Sequence, residues 1–331
     1  MSYGDERIGG DPPSDPGGLT HTPPPFRSLA DAGVAPAELL KLVIKALQAT
    51  ALETPSQLAE FLKMPPRAVR ELLDEAQERQ WVHVLGASDL RLSSELRYDL
   101  TEKGHDAAAE AMRQNGYVGP APVSLAAFCA QIVRQKITER AVDRATIDRV
   151  MGDMIVPESV IRQLGPAINA GRAILLYGEP GNGKTTLGKK VADLYDDVIY
   201  VPYCFEVDGQ IVKVFDPQIH QPAEVPVKES DAFDLRRDHG DGRWAACWRP
   251  AVVTGGELTL EMLDLSFETE SRFYEAPLHI KALGGVFILD DFGRQLVSPE
   301  SLLNRWTSPL ESHIDFLKLH TGKSFALPFD A

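Results

Sequence analysis

Apolar residues recur at helix spacing from Ala37 onward: in AELLKLVIKALQAT they fall at Leu39, Leu40, Val43, Ile44 and Leu47, one stripe of a 3.6-residue period. TPSQLAEFLKM predicts a second helix, with Thr54 as N-cap, Pro55 at the first helical position and Leu58, Phe61 and Leu62 turned inward. Pro65 and Pro66 end it, and RAVRELLDEAQERQW begins a third whose stripe is Val69, Leu72, Leu73 and Ala76. After Trp81, WVHVLG and LRYDL predict two short strands, and TEKGHDAAAEAM predicts a helix behind them. Beyond the linker GPAPVS the pattern is helical through LAAFCAQIVRQ and VPESVIRQLGPAINAG. From Arg172 it alternates. AILLYG, VIYVPY and GVFILDD are short apolar runs, with TTLGKKVADLYDD as a helix between the first two. Apolar strands separated by helices predict an α/β fold, a mostly parallel sheet covered by helices on both faces.

Residues 1–25 break this grammar: they hold eleven Gly or Pro. Such a stretch buries too little to offset its chain entropy, so residues 1–35 are expected to be a disordered tail. Residues 36–118 then form a first, mainly helical domain, 119–155 a helical linker and 156–331 the α/β core. Three helices followed by a β-ribbon is the order of a winged helix. The run RYDLTEKGHDA resembles the way many winged-helix regulators leave their wing and enter the next helix. Between Ala37 and Val118 there are 10 Lys or Arg against 13 Asp or Glu. Phosphate contacts supply most of the affinity of a DNA-binding module, and this balance repels phosphate about as much as it attracts it. A protein contact or an intramolecular scaffold role is therefore favoured for this module, with nucleic acid left open.

The whole chain carries a net charge of -14, which argues against a surface coated in nucleic acid but not against a local basic groove. Cys129, Cys204 and Cys247 are odd in number and far apart, with neither a disulfide ladder nor a zinc spacing; a reducing cytoplasm is the expected setting. The absence of an 18-residue apolar run predicts no membrane span.

The chemistry lies in GEPGNGKT, Gly178 to Thr185, which satisfies G-x-x-x-x-G-K-[ST]. Gly178, Gly181 and Gly183 free the backbone to turn successive N–H groups toward one phosphate cradle; Glu179, Pro180, Asn182 and Thr186 complete the loop, Pro180 without a donor of its own. The helix that begins near Gly183 adds its positive end. Lys184 supplies a mobile charge for the β- and γ-phosphates, and the Thr185 hydroxyl is a ligand for Mg²⁺. The motif falls where it must, between a strand signal and a helix signal, and a chance match in a chain of this size has odds of roughly one in a hundred.

Such a loop needs an acid at the end of a neighbouring buried strand, and GGVFILDDFG offers Asp290 and Asp291. Asp290 is assigned to the Mg²⁺ shell, bound mostly through water. Asp291 is assigned to polarising the attacking water, although aspartate is one methylene shorter than the glutamate many P-loop ATPases carry there. D-x-x-G and D-F-G also occur in this run, but no N-K-x-D element and no H-R-D loop accompany them, so neither a GTPase nor a protein kinase follows. ATP is favoured by elimination.

With these residues in hand, the part from about Val156 to Ala331 resembles the AAA+ ATPases. VPESVIRQLGPAINAGRAILLYGEPGNGKTTL looks like that family's helix, strand and P-loop, and FILDDFGR like its second acidic motif. RWAACWRPAVVTGGELTLEMLDL and FYEAPLHIKALGGVFILDD are vaguely similar to MoxR-type and magnesium-chelatase-like members, and IDFLKLHTGKSFALPF reads as the hairpin that branch carries. The resemblance implies ATP and Mg²⁺ as ligands, a homo-oligomeric ring, and a protein partner reached through the winged helix or an insertion. It also implies a sensor strand, an arginine finger and a lid beyond Ala331, so a truncated form is expected. Lys184 and Asp290 are 106 positions apart, more than a compact AAA+ core requires, which places an insertion at about 204–256. His220 and His239 within it have no ligand spacing, and Arg294 and Arg305 read as ion-pair residues. The expected function is an ATP-hydrolysing motor or switch acting on a protein; an ATP-gated DNA-binding regulator and a nucleotide-binding scaffold without turnover are the alternatives.

Overall fold

The computed structural model describes residues 21–87, 95–137, 141–179, 181–223 and 240–331. His239 and Pro180 lie outside the described residues. The N-terminal module follows the order read from the periodicity: α1 (Pro36–Ala49), α2 (Pro55–Leu62), α3 (Pro66–Glu78), an antiparallel ribbon of β1 (Val82–Ala87) and β2 (Leu96–Leu100), then α4 (Glu102–Gln114). The Thr54 side chain accepts from the Gln57 N–H while the Gln57 side chain accepts from the Thr54 N–H, a reciprocal cap that fixes the start of α2. Leu39, Val43, Ile44, Leu58, Leu62, Val69, Leu72 and Leu73 are all fully buried in one core. This helical region with its ribbon resembles a winged helix.

Residues 21–35 are not a free tail. Phe26, Ala32 and Val34 are buried in that same core, and the Phe26 ring lies under the Arg243 guanidinium, 4.3 Å to its centroid. Composition alone understated this stretch, because a few well-placed apolar side chains suffice to dock it.

The remainder is a mixed α/β body built from small sheets. A five-stranded sheet runs in the order β3 (Val123–Ser124), β5 (Cys204–Val207), β6 (Gln210–Lys213), β10 (Phe273–Glu275), β9 (Ser266–Glu268). Next to it, β4 (Val198–Pro202) pairs antiparallel with β7 (Trp244–Trp248), and β8 (Ala251–Thr254) pairs parallel with β11 (Val286–Leu289). The hairpin expected near the C-terminal end is β12 (Ile314–Lys318) and β13 (Ser324–Pro328). The described helices of the body are α5 (Leu125–Arg134), α6 (Arg144–Met151), α7 (Glu158–Asn169), α8 (Lys184–Ala192), α9 (Leu278–Lys281) and α10 (Pro299–Ser312).

Two further expectations need correcting. A single, mostly parallel sheet is not present among the described residues. VIYVPY forms the strand β4 but satisfies its backbone against β7, and AILLYG joins no ladder among the described residues, with Leu175 73% and Tyr177 89% exposed. The insertion expected at about 204–256 could equally have held a partner or been a surface excursion; where it is described it contributes to the core, since Cys204, Phe205, Val212 and Cys247 are fully buried. The apolar residues of β5 and β7 join the main core through Phe205, Val207, Trp244, Ala245 and Cys247. The 119–155 stretch is similarly divided. Val123, Phe128 and Ile132 belong to the main core, whereas α6 joins α7 and α8 in a separate cluster of Ile147, Met151, Leu164, Ile168, Leu187 and Leu194.

No helix among the described residues is long and apolar enough to cross a membrane. All three cysteines are free, and burial pushes the Cys204 and Cys247 thiols up to about 12.

Candidate nucleotide site

Gly178, Gly181 and Gly183 have φ of 151, 85 and 72, backbone conformations that a residue with a Cβ rarely adopts. Around Gly178 and Gly181 there is open space, so it is conformation and not crowding that calls for glycine. Gly183 is the N-cap of α8, and with no side-chain cap the first amides of that helix stay available to an anion. The α6–α7–α8 cluster holds the helix from beneath through Leu187. Asn182 and Thr186 are exposed at the rim.

The Lys184 ammonium folds back over the loop and donates to the carbonyls of Gly178 and Glu179, both at 2.9 Å. It therefore caps the cradle with its charge instead of pointing to solvent. On the other side, the Thr185 hydroxyl donates to Asp290 Oδ1 at 3.0 Å across 105 positions of sequence. The two residues expected to share a metal ion thus stand side by side. Asp290 directly follows β11, with its N–H bonded to Thr254 O at 2.7 Å, so the parallel pairing of β8 and β11 sets how far the carboxylate reaches.

Asp291 does not bring its side chain into this contact, although its N–H donates to Asp290 Oδ1 at 3.0 Å. It sits at φ 51 in the turn beyond β11, and its side chain is 64% exposed, with Arg294 Nη1 at 4.0 Å as its ion-pair neighbour. The same turn contains a contact that sequence reasoning missed. Gln295 donates to Asp290 O at 3.0 Å and accepts from Gly293 N–H at 2.7 Å. A glutamine in a polar loop gives no periodic or motif signal.

The remaining candidate residues have structural explanations. Arg305 makes two hydrogen bonds to Asp315, 2.6 and 3.1 Å, and one to Leu263 O; it is tied into the body and is not a free finger. Asp315 also bonds His279 at 2.6 Å. Burial would raise the Asp315 carboxyl, but His279 and Arg305 outweigh it and hold the group below its usual range. His220 is buried between the Asp216 N–H and the Lys281 carbonyl, and burial pushes its pKa down, which leaves it a satisfied core residue. Among the described residues no group of three or more His, Cys, Asp or Glu could hold a metal ion alone. A cation at Thr185 and Asp290 would need oxygens from its nucleotide and from water, as Mg²⁺ ordinarily does.

In the N-terminal module the three arginines of α3 and its end are engaged by acids. Arg67 lies 3.1 Å from Glu71, Arg70 lies 3.2 Å from Glu95, and Arg79 pairs with Glu75.

No family model matches the chain, and no curated protein matches it. Among solved structures it is similar in part to a cysteine-to-serine mutant of Lactococcus lactis ZitR, at 32% identity and a TM-score of 0.20. That similarity covers 22% of this chain and 48% of that protein, and a likeness so partial carries no argument.

Proposed function

We propose that this protein binds ATP with Mg²⁺ at the Gly178–Thr186 loop and hydrolyses it as an AAA+-type switch acting on a protein partner. One observation carries the reading. Thr185 and Asp290, distant in sequence and each assigned to the same metal ion, lie at hydrogen-bond distance beside a lysine folded over a loop of positive-φ glycines.

The loop amides and the start of α8 hold phosphate oxygens, and Lys184 exchanges its two carbonyl contacts for the β- and γ-phosphates. Thr185 and Asp290 would hold Mg²⁺, which when bound would spread the charge of the phosphates. Asp291, exposed at the mouth of the site, accepts a proton or a hydrogen bond from the attacking water. Catalysis of this kind is positioning and electrostatics.

Lys184→Ala tests the reading. Loss of charged hydrogen bonds to phosphate should weaken binding of a fluorescent ATP analogue about 10- to 100-fold, with phosphate release falling alongside. Equal affinity and equal release from the two proteins would remove ATP from the account.

The paired arginines of the N-terminal module favour a protein surface as its target over DNA. A labelled duplex at low salt should not be retained by the chain, with or without ATP. Retention that weakens steeply as salt is raised would instead favour the DNA-binding alternative.

A further inference from the structure

We infer that Gln295 is a positioning residue for the acidic pair: its amide clamps the turn that sets Asp290 against the metal position and Asp291 at the mouth of the site. The inference rests on the nucleotide-site reading above and deepens it.

Among the described residues, Asp290 is held at every polar atom but one. Its N–H bonds Thr254 O at 2.7 Å, its carbonyl accepts from Gln295 Nε2 at 3.0 Å, and Oδ1 accepts from the Thr185 hydroxyl and the Asp291 N–H, each at 3.0 Å. Oδ2 is the oxygen left over. The Asp291 side chain has the long contact to Arg294 in place of such anchoring, so the backbone of the turn decides where its carboxylate stands. That turn is difficult to hold. Asp291 and Gly293 both have positive φ, 51 and 94, within three residues, and its own closing bond is Arg294 N–H to Asp291 O at 2.9 Å. An aspartate in the left-handed region costs free energy that its surroundings must offset.

Gln295 supplies what the turn lacks. It is half-buried while Asp291 through Arg294 and Leu296 stand in solvent, so its side chain turns back under the loop. Its Oε1 accepts from Gly293 N–H at 2.7 Å, and its Nε2 donates to Asp290 O. The partners dictate the amide's orientation, because an N–H can only donate and a carbonyl can only accept. A glutamate could keep the first bond and would repel the second carbonyl. An asparagine is one methylene short of bridging them.

The test is Gln295→Met in the full chain, which keeps the length and removes both hydrogen bonds. A fluorescent ATP analogue is titrated once with MgCl₂ and once with EDTA, on the wild type, on Gln295→Met and on Lys184→Ala. The wild type is expected to bind more tightly with Mg²⁺ than without. Gln295→Met should lose about tenfold of that metal-dependent gain, in line with the cost of removing a residue that orients a metal ligand, and keep the wild-type affinity in EDTA. Lys184→Ala should lose affinity under both conditions.

A merely structural role for Gln295 would lower both affinities together, and that result overturns the inference. It is also overturned if Gln295→Met binds like the wild type in both media, or if the wild type gains nothing from Mg²⁺. Undiminished binding by Lys184→Ala strikes the nucleotide-site reading itself, which separates the two failures.

Discussion

Arg243→Ala is expected to destabilise the protein by about 3–5 kcal/mol in urea unfolding, because it strands a buried acid. The Arg243 and Asp241 side chains are only 4% and 5% exposed and are 2.7 Å apart. Arg243 Nη1 also donates to Ala32 O at 2.8 Å and to Pro122 O at 2.9 Å, while the guanidinium plane covers the Phe26 ring. One side chain therefore joins the N-terminal stretch, the segment before β3 and the body. Its removal should also expose residues before α1, so limited proteolysis there should speed up. Arg243→Lys should restore little, since an ammonium can neither form the two-pronged contact nor stack as a flat cation. A loss under about 1 kcal/mol, within the range of an exposed ion pair, would show that this junction is not what holds the N-terminal stretch in place.

Phe205→Ala should cost a comparable amount, about 3–5 kcal/mol, as the deletion of a fully buried ring that leaves a cavity. Phe205 is 0% exposed, with ring centroids 5.1 Å from Phe128 and 5.9 Å from Phe325. Its register partners are Val123 on one side and Val212 on the other. The substitution separates two views of residues 204–256. A surface insertion would tolerate the change within about 0.5 kcal/mol, whereas a central strand would not. A small measured effect would return this stretch to the periphery.

Much of the N-terminal module was legible because its signals are local. Proline at the first turn, a capping threonine and a 3.6-residue stripe each act within a few residues, and Leu58, Val69 and Leu72 are buried where the stripe put them. Strand pairing is different. VIYVPY announces a buried strand, but whether its partner is β7 or AILLYG depends on residues tens of positions away, and the pattern within the strand is the same in either case. Compositional reasoning also failed at Phe26 and Ala32, where a Pro/Gly-rich setting concealed two anchors whose value depends on Arg243, more than two hundred positions later.

The candidate site divides along the same line. By itself the sequence determined where the proposed phosphate loop lies, because glycines, a lysine and a hydroxyl must follow one another at set spacing for amides to converge on one point. It also determined Asp290 as a candidate partner, since an acid closing an apolar run is visible in the run. Only the tertiary structure decided that Thr185 and Asp290 meet, that the Asp291 side chain stays out of that contact, and that Gln295 bonds across the turn after them. Those are distances between segments brought together by packing, and packing is a property of the whole core that no local stretch of residues encodes.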